Sequence, residues 1–155
     1  MSGSLEVGSK APDFSCAADG DRQISLADFV GKKLVIYFYP KDDTPGCTTE
    51  AIEFNAQAGA FAAANTEIVG VSADSVEKHE KFKTKHNLGV TLLSDPDQKM
   101  LEAYGVWVEK NMYGKKYMGI ERATFLVGED GKILHVWRKV RVKGHVDAVL
   151  ETVGA

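Results

Sequence analysis

The chain has 155 residues, 44% of them apolar and 26% charged, with a formal net charge of −3. That length suits one globular domain able to bury a core without a disulfide or metal staple. The acidic balance argues against nucleic-acid binding, the longest apolar run (residues 34–39) is too short to cross a bilayer, and the first ten residues carry no apolar leader or myristoylation signal, so the expected location is cytoplasmic with no membrane partner. Residues 13–26 read as a hairpin turning at Asp19-Gly20, with Phe14 and Cys16 sharing one parity and Ile24 and Leu26 another. Ser25 and Asp28 form a capping pair for a short helical turn ending at Gly31. Residues 33–39 are a continuous apolar, β-branched and aromatic run, the pattern of a strand buried on both faces, and Pro40 ends it. Pro45-Gly46 reads as a second break just before Cys47.

From residue 48 to 64 the spacing of Ala51, Phe54, Ala58, Phe61 and Ala62 is helical, with Asn65 as a C-terminal cap. Residues 67–73 are a second buried strand. Asp74 or Ser75 then caps a charged helix running to about His86, and residues 90–93 form a short strand. Asp95-Pro96 opens a helix that Gly105 stops, with Pro in the first turn. Trp107 and residues 112–117 read as a long excursion between elements. Residues 123–127 and 132–138 are strands joined by Glu129-Asp130-Gly131, and the last helix places Val146, Val149, Leu150 and Val153 on one face. This order predicts an α/β fold: a central mixed sheet flanked by helices, with an N-terminal β-hairpin extension.

Two cysteines, Cys16 and Cys47, are too few for a disulfide scaffold. Cys47 lies in Pro40-Lys-Asp-Asp-Thr-Pro-Gly-Cys-Thr-Thr-Glu50, at the carboxyl end of a buried strand, where open α/β sheets place their chemistry. It falls in the first turn of a helix, whose unpaired N–H groups and dipole favour an anion, here the nucleophilic thiolate. Thr44, three residues earlier, brings a hydroxyl within reach of the sulfur, and Pro40 and Pro45 restrict the loop and shield it from water. The bland alternative is a small core residue, since cysteine is often buried. The Pro- and Gly-bounded setting disfavours it.

The stretch from Phe38 to Glu50 resembles the active-site signature of peroxiredoxins, and most closely that of the Q-type group, the bacterioferritin comigratory proteins. The likeness continues through Ala11-Pro-Asp-Phe14, Gly70-Val-Ser72, Leu93-Ser-Asp-Pro96, Tyr104-Gly-Val-Trp107, Met112-Tyr-Gly114 and Arg122-Ala-Thr-Phe125. The resemblance implies a thioredoxin-like fold in one domain spanning residues 1–155. It implies thiol-dependent reduction of hydrogen peroxide and organic hydroperoxides with no cofactor and no metal. Cys47 matches the peroxidatic cysteine and Thr44 the hydroxyl that hydrogen-bonds thiolate and peroxide. Pro40 matches the shielding proline, Arg122 the guanidinium that stabilises the thiolate and orients the peroxide, and Glu50 the acid that positions Arg122. An unperturbed thiol is only a few per cent thiolate at pH 7, so Arg122 and the helix N-terminus would supply the ionisation. Arg122, Thr44 and the N–H groups of Gly46 and Cys47 would stabilise charge on the leaving oxygen, and Cys47 would become a sulfenic acid. Without the resemblance, Arg122 reads as a surface arginine opening a strand and Glu50 as a first-turn helix acid.

The sequence departs from the family at the resolving cysteine. Many Q-type members carry one five residues after the first, where this chain has Ile52; others place it on the helix over residues 75–86, which has none. Cys16 shares parity with Phe14 and reads as buried filler rather than a resolving residue. A one-cysteine mechanism follows, with an external thiol (thioredoxin, glutaredoxin or glutathione) as reductant, in a monomer or weak homodimer. Two other functions compete: a redox sensor or holdase built on Cys47, and a thioredoxin-like disulfide exchanger. The exchanger is weakened by Thr44, which stands where the first cysteine of a Cys-x-x-Cys pair would be. His79 and His86 lie seven apart on one helix face with no third metal ligand at suitable spacing, so they read as solvated helix histidines. The glycines at 114 and 119 have P-loop spacing, but Ile120 stands where lysine is required. Arg138, Lys139, Arg141 and Lys143 read as a solvated strand end.

Overall fold

The computed structural model describes residues 5–154. Its centre is a seven-stranded sheet in the order β2-β1-β5-β4-β3-β8-β9. The strands are β1 (Ser15–Ala18), β2 (Arg22–Ser25), β3 (Lys33–Phe38), β4 (Thr66–Ser72), β5 (Thr91–Ser94), β8 (Ala123–Val127) and β9 (Ile133–Trp137). β3, β4 and β5 run parallel; the hairpin β1–β2 and the hairpin β8–β9 join them antiparallel at either side. The parallel strands need helical crossovers. α1 (Pro45–Ala56) and α2 (Ala58–Ala63) carry the chain from β3 to β4, and α3 (Val76–His86) carries it from β4 to β5. α4 (Lys99–Ala103) follows β5, and α5 (His145–Val153) closes the chain.

The period-two alternation of β3 divides the core. Leu34, Ile36 and Phe38 face a cluster that holds Phe14, Cys16 and Tyr104. Val35, Tyr37 and Tyr39 face the other cluster, under α1, α3 and α5, which holds Cys47 and Phe54. The two cysteines therefore lie on opposite faces of one sheet. Gly70 on β4 makes room for Tyr37: a Cβ there would meet the Tyr37 ring at 2.6 Å and Leu92 at 2.9 Å.

Three expected boundaries shift. Pro45 opens α1 rather than breaking the chain before it, because its missing N–H costs nothing at the first helical position. α4 begins at Lys99, three residues after Pro96; Asp95 instead accepts a hydrogen bond from the Leu101 amide at 2.8 Å. The excursion after Trp107 is a second sheet, the hairpin of β6 (Trp107–Met112) and β7 (Lys115–Ile120). Its two-residue turn puts Tyr113 and Gly114 at φ 53° and 80°, as a tight hairpin with this twist requires. No helix among the described residues is long and apolar enough to cross a membrane.

Candidate active site

β3 ends under the first turn of α1, and the loop between them delivers Cys47. Pro45 has no N–H, and the first amide bonded within the helix is that of Thr48, which donates to the Thr44 carbonyl at 2.8 Å. The Gly46 and Cys47 amides precede it, and the Thr44 side chain does not cap them. A helix start with its first amides outside the helical ladder, together with the helix dipole, is a setting that favours an anion. Cys47 itself is 1% exposed.

Arg122, in the two-residue link between β7 and β8, reaches across to this turn. Its Nη2 donates to Cys47 Sγ at 3.2 Å and its Nη1 to Glu50 Oε1 at 2.5 Å. The arginine thus spans two residues of α1 three apart, on one helix face. Burial pulls the Arg122 proton affinity down, but Glu50 and Cys47 outweigh it, so the guanidinium is held above its ordinary range and stays charged. Glu50 is 0% exposed, and its second oxygen, Oε2, has no hydrogen-bond partner. Burial therefore outweighs the attraction of Arg122, and the carboxyl is pushed up to about 7. Gly46 leaves room for this arrangement: a Cβ there would lie 3.2 Å from Arg122 Nη2. His145, the first residue of α5, shares its Nε2 with the Thr124 hydroxyl at 2.8 Å. Burial, reinforced by the charge of Arg122, lowers it to about 4, so it is neutral at pH 7.

Of the residues singled out in the sequence, Cys47, Arg122 and Glu50 are brought into direct contact. Gly46 lies in the same turn. The Thr44 hydroxyl, expected at the sulfur, donates instead to the Lys41 carbonyl at 2.8 Å, which closes the loop on itself. Its oxygen keeps lone pairs but its hydrogen is committed. Pro40 is exposed at the mouth of the loop. Cys16 lies on the far side of the sheet, with its thiol 3.8 Å from the Met100 sulfur. Burial, with Asp95 nearby, raises that thiol to about 11, so it stays protonated and unreactive at neutral pH.

The reading of His79 as solvated is wrong. It is 0% exposed, with Nδ1 2.7 Å from Asp42 Oδ2 and Nε2 2.9 Å from the Leu93 carbonyl. His86 is half-buried against Asp43, at 2.9 Å. Asp42, Asp74 and His79 bring their polar atoms within 4.8 Å of one another. These atoms are already engaged with Tyr39, the Asp42 amide, Ser72 and Leu93, so the trio is a hydrogen-bonded network. Spacing to Phe82 was the available signal: His79 shares its face with a core residue three positions on.

A family model described as the AhpC/TSA family matches residues 7–136. Peroxiredoxin Bcp of Bacillus subtilis (strain 168) is 51% identical over 148 residues, covering 96% of this chain and 94% of its own. A putative peroxiredoxin bcp of Coxiella burnetii is 53% identical over 147 residues, covering 95% and 97%. Among solved structures, the Xanthomonas campestris bacterioferritin comigratory protein, trapped as an intermediate/ligand complex, superposes with a TM-score of 0.90 at 45% identity over 96% of this chain and 97% of its own. Xanthomonas campestris Peroxiredoxin Q superposes with a TM-score of 0.87 at 48% identity, over 90% and 89%. A buried thiol at an open helix N-terminus, bridged by arginine to a buried glutamate on a thioredoxin-like sheet, accords with these matches, and the chain belongs to the AhpC/TSA family as a peroxiredoxin of the Bcp and Q kind.

Proposed function

We propose that the chain reduces hydrogen peroxide and alkyl hydroperoxides by a one-cysteine cycle on Cys47, completed by an external thiol. The observation that carries this is the 3.2 Å contact of Arg122 Nη2 with Cys47 Sγ at an uncapped helix start. The Xanthomonas campestris relative is described by its alkyl peroxide reduction activity, which supports the organic substrate.

The thiolate's electron pair attacks the terminal oxygen of ROOH, and the O–O pair leaves with RO⁻. That oxygen takes a proton to become ROH, and Cys47 holds the sulfenic acid. Arg122 and the Gly46 and Cys47 amides meet the charge that develops on the departing oxygen. An external thiolate then attacks the Cys47 sulfur and displaces the hydroxyl as water. A second thiol attacks the mixed disulfide, which returns Cys47 as thiolate. The sum is ROOH + 2 R′SH → ROH + R′SSR′ + H₂O. Cys16 takes no part because a sheet separates it from Cys47.

The test is intact mass after one equivalent of hydrogen peroxide with a sulfenic-acid trap present. One adduct, mapped to Cys47, is expected. A loss of two hydrogens with no adduct would make Cys16 a resolving residue. Cys47→Ser should abolish peroxide consumption, and retained activity would remove Cys47 from the chemistry. With excess thiol, repeated turnover supports the enzyme, whereas consumption of one equivalent per chain supports the sensor.

A further inference from the structure

The site sets two acids against one cation. Cys47 and Glu50 lie three residues apart on one face of α1, 1% and 0% exposed. A single guanidinium answers both: Arg122 Nη2 donates to Cys47 Sγ at 3.2 Å and Nη1 to Glu50 Oε1 at 2.5 Å. With Cys47 as thiolate and Glu50 as carboxylate, the buried trio would be left with an unbalanced negative charge, which is costly away from water. The partial positive charge of the helix start falls off within the first turn, so it serves Cys47, the third residue of α1, more than Glu50, the sixth. Glu50 Oε2 has no hydrogen-bond partner, so an ionised Glu50 would hold half of its charge bare.

The neighbouring elements do not relieve this. On α1, Glu53 repels negative charge on Glu50. On β3, the Tyr37 hydroxyl is buried and unpartnered, and burial together with Glu50, Asp42 and Cys47 keeps it protonated. On α5, His145 is neutral at pH 7 because burial and the charge of Arg122 oppose its protonation. None of these groups brings a second cation. Arg122 alone therefore faces two groups able to become anions, and two like charges that share a site cannot both ionise as freely as either would alone.

We propose that Cys47 and Glu50 share one proton across Arg122: Glu50 holds it while Cys47 is the thiolate and gives it up once the thiolate is consumed. This rests on the reading of Cys47 as the nucleophile. Glu50 touches neither sulfur nor substrate and acts on Cys47 through Arg122, so it is a positioning residue whose second task is to stay neutral. A neutral carboxyl still accepts from Nη1 through Oε1 and leaves the charge of the guanidinium to the sulfur. The two groups titrate as a pair, each opposing the other's ionisation by the same factor. The proton balance of oxidation follows: Cys47 S⁻ + Glu50 COOH + ROOH → Cys47 SOH + Glu50 COO⁻ + ROH. The S–O bond forms from the thiolate's electron pair, the O–O bond breaks, and the departing oxygen gains a proton as Glu50 loses one.

Iodoacetamide tests the sharing without peroxide, because alkylation consumes the thiolate and leaves a neutral thioether. The rate of alkylation at Cys47, mapped by mass spectrometry, is followed against pH in the wild type and in Glu50→Gln, whose amide oxygen can keep the Arg122 contact but cannot ionise. The midpoint in Glu50→Gln should lie about one pH unit below that of the wild type, a tenfold easier ionisation. An unchanged or higher midpoint, the result for a glutamate that only orients the arginine, overturns the proposal. The reciprocal measurement needs only the wild type. At a pH just above the Glu50 value of about 7, infrared difference spectra across the alkylation should show a buried protonated carboxyl lost and a carboxylate gained. A spectrum without that exchange overturns the proposal even where Glu50→Gln fails to fold. A wild type that never consumes peroxide would sink the peroxidase reading, and both measurements would still judge the shared proton.

Discussion

Arg122 is the residue on which the site turns. It donates to the nucleophile with one nitrogen and is held by Glu50 through another, so its fork geometry does two tasks that a point charge could not. Arg122→Ala should lower the rate constant for Cys47 oxidation by roughly 100-fold or more, the usual cost of removing a donor aimed at developing charge. Arg122→Lys should recover little, because one ammonium cannot bridge Glu50 and the sulfur together. Stopped-flow peroxide kinetics with the isolated reduced protein check both. A wild-type rate in Arg122→Ala would show that the helix N-terminus suffices alone. The two cysteines make the contrast at this scale: both are buried, but only Cys47 has a cation and open amides beside it. Cys16 has Asp95 and apolar neighbours, and its thiol is pushed up to about 11.

At the scale of elements, the first turn of α1 is built for approach rather than for helix stability. Glycine inside a helix costs about 1 kcal/mol relative to alanine, yet Gly46 is its second residue. A Cβ there would press on Arg122 Nη2 at 3.2 Å and lie 3.9 Å from Val142. Gly46→Ala should therefore leave thermal stability unchanged or slightly raised while it slows peroxide reduction several-fold. A variant that gained stability and kept full activity would show that Arg122 yields without loss. This turn also shows how far the sequence could be read. The buried run over β3 and the Pro-Gly-Cys that follows were legible because apolar continuity and prolines are local signals. That Pro45 starts the helix was not, since the dipeptide Pro45-Gly46 reads equally as a break. β6 and β7 escaped because most of their side chains face water on both sides of a two-stranded ribbon, which erases the alternation that marks a half-buried strand. The Thr44 hydroxyl bonds the Lys41 carbonyl, a partner set by the path of the loop rather than by the three-residue spacing to Cys47. His79 was misread because burial of a polar residue on a charged helix depends on Asp42, 37 positions away in the chain.

At the scale of the whole molecule, the site leaves a mark on stability. Glu50 and His145 are both buried around Arg122, and burial drives them in opposite directions. The Glu50 carboxyl moves from 4.5 to about 7, so between those values the folded chain keeps a proton that the unfolded chain has lost. By linkage this makes stability fall as pH rises through that window. The His145 ring moves from 6.5 to about 4, so in that interval the unfolded chain binds the extra proton and stability rises with pH. The two slopes overlap between about 4.5 and 6.5 and offset one another, which leaves the wild type comparatively flat there. Glu50→Gln removes the falling slope alone. Its stability should rise with pH across this interval relative to the wild type, by on the order of 1 kcal/mol per unit. Urea unfolding at a series of pH values measures it. The comparison concerns slope, so any uniform loss from weakening the Arg122 contact cancels. Parallel profiles for the two proteins would mean that Glu50 titrates alike folded and unfolded. The buried, half-partnered carboxyl would then not be the origin of any pH dependence at this site.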